Sequence, residues 1–211
     1  MGCTSSKDGK EAMKKPAPVE GRTHCGHWLK SIDDLTDFPM FPEGCKSLLS
    51  KHLTQEVWDE YKDLSCDAGV AFKVCIFSGC KNVDSGIGVY AGSHQAYAKF
   101  NKLFDPIIEE YHSHGVDAQH VSEMTAEGLE APPFEEEDAA MIKSTRIRVG
   151  RNLAEFPLGP GVSDAQRNEI MDKVVEACGK FTGDLEGKFY SLKGMSAADQ
   201  KQLIEDHFLF K

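Results

Sequence analysis

No run of apolar residues in this 211-residue chain approaches the roughly eighteen needed to cross a bilayer. The first thirty residues also lack the apolar centre of a secretory signal, so the chain is expected on the cytosolic side of the membrane. Cysteines are present, but paired spacing is missing: Cys3, Cys25, Cys45, Cys66, Cys75, Cys80 and Cys178 are odd in number and form no C-x-x-C. That pattern argues against a disulfide framework and a structural zinc knuckle, and leaves reduced thiols. His24, Cys25 and His27 lie too close together in sequence to face one ion comfortably, so no metal site is expected there. There is no basic patch either. With a net charge of −10 and dispersed Lys and Arg, the field repels polyanions and excludes nucleic acid as an expected partner. No internal repeat is present. What remains, 40% hydrophobic and 27% charged, is an ordinary globular composition long enough for one large domain or two modest ones.

Residues 1–22 are polar and read as a flexible tail. In Asp37-Phe38-Pro39-Met40-Phe41-Pro42 two prolines forbid a continuous helix, and an irregular docked stretch is expected. Apolar residues Leu48, Leu49, Leu53, Val57 and Tyr61 predict two short helices, the second capped by Thr54. The run Val70–Phe77 has no clear period and leaves helix and strand open. A loop over 78–88 follows. Tyr97, Phe100, Leu103, Phe104, Ile107, Ile108 and Tyr111 then predict an amphipathic helix with a break at Asp105-Pro106. The acidic, proline-containing stretch 121–138 reads as a linker. Beyond it, 139–149 alternates like a strand, Ser163 opens a long helix to about residue 181, and Ser196 caps a last helix through His207.

The strongest chemical signal is Ser144-Thr145-Arg146-Ile147-Arg148-Val149-Gly150-Arg151-Asn152-Leu153. On a strand, Ser144, Arg146 and Arg148 share one face. Two guanidinium groups so placed repel each other unless an anion lies between them, and a nucleotide polyphosphate would supply it. Spacing alone equally allows arginines satisfied by nearby carboxylates. The string, followed by Phe156-Pro157-Leu158, resembles the signature that opens the catalytic domain of the phosphagen (ATP:guanido) kinases. Asn82-Val83-Asp84-Ser85-Gly86-Ile87-Gly88-Val89-Tyr90-Ala91 resembles that family's guanidino-specificity loop. Three further blocks, 103–112, 190–196 and 203–211, are also similar, in order, so the resemblance runs from about Pro39 onward.

The resemblance implies an α+β chain: a small all-α domain over 23–120, a linker, and from residue 139 the beginning of an α/β domain with an antiparallel sheet, incomplete at Lys211. It implies nucleotide binding by Ser144, Thr145, Arg146, Ile147 and Arg148, with His207 near the adenine; on its own, His207 equally reads as a helix-end histidine satisfied by carbonyls. It implies that Ser85, Gly86, Ile87, Gly88 and Tyr90 receive the substrate's carboxylate and amino end, which suits glycine amides that approach an anion closely. The short loop favours L-arginine, with taurocyamine or lombricine as competitors. ATP/ADP with Mg2+ is the implied cofactor and in-line phosphoryl transfer the implied reaction. The family's guanidinium-orienting carboxylates and reactive cysteine would follow the D-H-F-L-F block, so this chain alone is expected not to turn over; a non-catalytic nucleotide-binding or membrane-tethered module is the alternative.

Met1-Gly2-Cys3-Thr4-Ser5-Ser6-Lys7 is a second, independent signal. It fits N-myristoylation at Gly2 with palmitoylation at Cys3, and two acyl chains hold a membrane where one binds marginally. The expected location is cytoplasmic and membrane-associated, with a cilium or flagellum as one candidate.

Overall fold

The computed structural model describes residues 15–128, 130, 132–145 and 147–209. It divides into two compact units, Met1–Val162 and Ser163–Lys211.

The first unit opens with two three-residue strands, β1 (Arg22–His24) and β2 (Phe38–Met40), paired in parallel with Thr23 opposite Pro39. The N-terminal region is therefore not all-helical, and the stretch around Pro39 is a strand rather than an irregular segment. A two-stranded ladder leaves one edge of each strand unpaired, which is where a residue without an N–H is tolerated, and the Pro39 side chain is fully buried.

Two short helices follow as the sequence predicts: α1 (Leu48–His52), capped by Ser47, and α2 (Gln55–Tyr61), capped by Thr54. Each cap hydroxyl accepts a first-turn amide, from Ser50 at 3.1 Å and from Val57 at 3.3 Å. The undecided run becomes α3 (Phe72–Lys81). Its buried residues Phe72, Cys75, Ile76, Gly79 and Cys80 follow the i, i+3, i+4, i+7, i+8 pattern, which shows only when the window extends past Phe77. Next come α4 (Ala96–Lys99) and α5 (Asn101–His112). The helix break falls at Phe100 (φ −114°, ψ 34°), not at Pro106, which sits inside α5. Pro106 forfeits one backbone bond, to the Lys102 carbonyl. The buried face Leu103, Phe104 and Ile107 holds the helix across that gap.

The core of this unit is aromatic at its centre. Phe72 and Phe100, both fully buried, stack edge to face at 5.1 Å, and Tyr61 contacts each of them at 5.5 and 5.4 Å. Trp58 and Phe38 extend the cluster toward β2. Later in the chain, Leu158 donates its amide to the Gly92 carbonyl at 3.0 Å.

Among the described residues of 139–149 the expected strand does not form. Residues 136–141 are instead α6 (Glu136–Met141), and the described residues of 142–150 have no regular structure. Glu136, Glu137 and Asp138 in the first turn favour a helix start through the helix dipole. Alternation alone makes no strand, because a strand needs a neighbour for its ladder bonds.

The second unit holds α7 (Asp164–Cys178) and α8 (Ala197–Glu205). Ser163 and Gln166 close a reciprocal capping box on α7, and Ser196 caps α8, as the sequence predicts. Among the described residues this unit has no strand; the one sheet, β1–β2, lies in the first unit and is parallel. The antiparallel sheet expected from residue 139 is thus not present among the described residues. No helix among them is long and apolar enough to cross a membrane.

Candidate functional site

The segment after α3 is held from three sides. Leu48 and Leu49, at the start of α1, donate their amides to the carbonyls of Gly86 (3.0 Å) and Ile87 (2.9 Å). The Cys45 thiol donates to the Val83 carbonyl at 3.3 Å, and the Tyr90 amide donates to the Cys75 carbonyl at 2.9 Å. Gly79 of α3 lies directly under Gly88: a Cβ on Gly79 would come within 2.0 Å of the Gly88 carbonyl oxygen. Gly88 itself has φ +83°, a left-handed conformation that excludes most other residues. Ser85, Gly86, Ile87, Gly88 and Tyr90 are thereby gathered in one loop, with the Tyr90 side chain exposed. Among the described residues, the amides of Gly86, Ile87, Gly88 and Val89 donate no hydrogen bond. Gly88 and Val89 are nevertheless buried. A loop that presents several amides free of backbone partners is suited to an anion.

Beside the loop lies a cleft of about 300 Å³, lined by Ile87, Tyr90, Tyr97, Ile108 and Tyr111 among others. The same α5 is tied to α1 by Glu110, whose carboxylate meets Lys51 Nζ at 2.7 Å and His52 Nε2 at 2.6 Å. Lys51 first, then His52, holds the Glu110 carboxyl below the ordinary carboxylate range.

The thiols around the loop differ in character. Burial pushes Cys75 up to about 11, against an opposing hydrogen bond from the Gly92 amide. Hydrogen bonding with Cys25, then burial, raises Cys80 well above the ordinary thiol range. At Cys45 burial acts upward, but hydrogen bonds from Ser47 and Ser50 outweigh it and the thiol is lowered.

The nucleotide candidates are distributed differently. Ser144, Thr145, Ile147 and Arg148 lie in exposed chain without regular structure, and Arg148 makes no ion pair among the described residues. Arg146 lies outside the described residues, as do Gly2 and Cys3. His207 belongs to the second unit. It follows α8 at φ 63°, with its amide on the Ile204 carbonyl and the Phe208 amide on the Leu203 carbonyl at 2.8 Å. That is a Schellman termination with histidine where glycine is usual.

Sequence reasoning missed Ser47 and Gly79, the residues that fix the loop without belonging to it. Ser47 could have been read from its place ahead of Leu48-Leu49, as Thr54 was. Gly79 carries no local signal inside a helix, since its role is contact with a residue nine positions on.

The family model for the ATP:guanido phosphotransferase N-terminal domain matches residues 43–109, which include the loop, α1 and α3. The chain is 46% identical over 167 residues to an arginine kinase of Anthopleura japonica, covering 79% of this chain and 23% of that protein. It is 40% identical over 183 residues to an arginine kinase of Polybetes pythagoricus, covering 87% and 49%. Among solved structures it resembles a lombricine kinase (TM-score 0.65, 27% identity, covering 79% of this chain and 45% of that one). It also resembles the duplicated taurocyamine kinase of Schistosoma mansoni (TM-score 0.64, 27% identity, covering 78% and 23%). The chain spans half or less of the length of these relatives. By its matched domain, its relatives and its fold, the chain belongs to the ATP:guanido phosphotransferase, or phosphagen kinase, family.

Proposed function

We propose that this polypeptide serves reversible phosphoryl transfer between ATP and a guanidino substrate, L-arginine, buffering ATP where it is consumed. The observation that carries the reading is the Ser85–Tyr90 loop, whose unpaired amides suit a substrate carboxylate, in a chain whose similar relatives are named arginine kinases. In this reading the substrate's guanidino nitrogen attacks the γ-phosphorus in line and ADP leaves. The chain's own contribution is alignment: loop amides and Tyr90 fix the amino-acid end, while Ser144, Thr145, Arg146, Ile147 and Arg148 hold phosphate. The exposed Ser144 hydroxyl and Arg148 guanidinium are donors that fit phosphate oxygens. Mg2+ would enter with the nucleotide whose phosphates Ser144 and Arg148 would hold. When bound, it supplies charge neutralisation at those oxygens.

We further propose the domain division 23–120, 121–138 and 139–211, with the last segment belonging to the catalytic domain. Acylation at Gly2 and Cys3 would tether the cytoplasmic chain to a membrane, such as that of a cilium or flagellum. The test is an assay of ATP-dependent phosphorylation by the polypeptide as expressed, with arginine, taurocyamine and lombricine as alternative acceptors. Phosphoarginine formation supports the reading; phosphorylation of taurocyamine or lombricine in preference moves the substrate toward that of the structural neighbours. ATP binding without any transfer supports the non-catalytic alternative, and neither binding nor transfer refutes both.

A further inference from the structure

The loop's two central carbonyls are both spent on α1, and this fixes where its amides point. Every peptide bond among the described residues is trans, so the C=O and the following N–H of one peptide plane face opposite ways. The Gly86 carbonyl is bonded to the Leu48 amide, which turns the Ile87 N–H away from α1. The Ile87 carbonyl is bonded to the Leu49 amide, which turns the Gly88 N–H away from α1 as well. These are two of the amides left without a partner among the described residues. An α1 whose first-turn donors shifted would release both carbonyls and with them the hydrogen bonds that orient the two peptide planes.

Two residues outside the loop keep this arrangement. Ser47, 1% exposed, accepts the Ser50 amide on its Oγ at 3.1 Å and so fixes the start of α1. Its hydroxyl also lies 3.5 Å from the Cys45 thiol, which grips the loop at Val83. Gly79 leaves room for the Gly88 backbone to lie on α3: an added Cβ would sit 2.0 Å from its oxygen and 2.6 Å from its carbonyl carbon. Both contacts are backbone, so no side chain can swing aside.

We propose that Ser47 and Gly79 are positioning residues for the substrate end of the site, aligning the Ile87 and Gly88 amides toward a carboxylate through α1 and α3 without themselves touching substrate. The inference rests on the guanidino-kinase reading for its functional consequence, but the clamp itself does not.

The test uses Ser47→Ala, Gly79→Ala and, as a control, Thr54→Ala, which removes an equivalent cap from α2 with no contact to the loop. Amide hydrogen exchange followed by NMR reads the clamp directly. Leu48 and Leu49 amides are expected to be protected in the wild type and to exchange roughly tenfold faster in Ser47→Ala and Gly79→Ala but not in Thr54→Ala. In the kinase assay, KM for the guanidino substrate is expected to rise roughly tenfold in the two loop variants, with KM for ATP unchanged, since a small misplacement of a positioning group is costly. Thr54→Ala should lose stability and leave both KM values alone. Should Gly79→Ala fail to fold, Ser47→Ala carries the test. Unchanged exchange at Leu48 and Leu49 in Ser47→Ala overturns the clamp, and equal rises in both KM values overturn the substrate-specific role. Where the chain by itself transfers no phosphate, its affinity for L-arginine, read by calorimetry, takes the place of KM: equal affinity in the wild type and Ser47→Ala overturns the substrate role, while the exchange result still decides the clamp.

Discussion

Alkaline titration tests the burial of the α3 core, because Cys75 lies on its inner face and is fully buried. Its thiol titrates at 9.0 when solvated and at about 11 in the folded chain, chiefly because burial disfavours the thiolate. A raised folded pKa stabilises fully below the unfolded value and is lost as pH climbs through the folded one. The unfolded chain therefore gains by ionising from pH 9 upward while the native chain resists until pH 11. At pH 10 the unfolded thiol is about nine-tenths ionised and the folded one about one-tenth, which costs the native state about 1.4 kcal/mol; above both values the cost approaches about 3 kcal/mol. The assay is urea denaturation of the wild type and Cys75→Ala from pH 7 to 10.5, reading the difference in unfolding free energy between them. Cys75→Ala starts less stable at neutral pH because a cavity is left. That gap should narrow by about 1.4 kcal/mol by pH 10. A gap that stays constant across this range would show that the thiol ionises as freely in the folded chain as in the unfolded one, and would refute the packing of α3.

Three further outcomes are expected. Phe72→Ala removes the ring that Tyr61, Trp58 and Phe100 share, and should cost about 3–5 kcal/mol in urea denaturation. Ser163→Ala breaks the capping box of a helix with no buried residue, so it should cost about 1 kcal/mol and reduce the helical circular dichroism signal in proportion. Arg148→Ala should weaken ATP binding roughly tenfold by isothermal titration, in keeping with the loss of a charge-assisted phosphate contact; unchanged affinity would remove the nucleotide role proposed for that segment.

Local chemistry was legible from the residues. Thr54, Ser163 and Ser196 announce helix starts because a short side-chain oxygen satisfies an amide two or three residues on, and no distant partner is needed. The helical placing of Leu48 through Tyr61 was legible for the same reason. The loop over 82–90 could be recognised by the identity of its residues, though the partners that hold it could not.

What the tertiary structure alone decided was every feature that depends on a remote neighbour. Phe72–Phe77 became helix because its inner face meets Trp58, Tyr61 and Phe100, whereas the alternating 139–149 found no strand to pair with among the described residues. The bend in the Gln95–Tyr111 stretch falls at Phe100, where a buried ring is locked among others, and not at the proline that local rules single out. Pairing of Arg22–His24 with Phe38–Met40, and the contact of Gly79 with Gly88, bring together backbone that no short window contains. Capping and periodicity are written within one or two turns of chain, while register, close approach and the aim of an amide are set only when separate segments compete for the same space and the same hydrogen bonds.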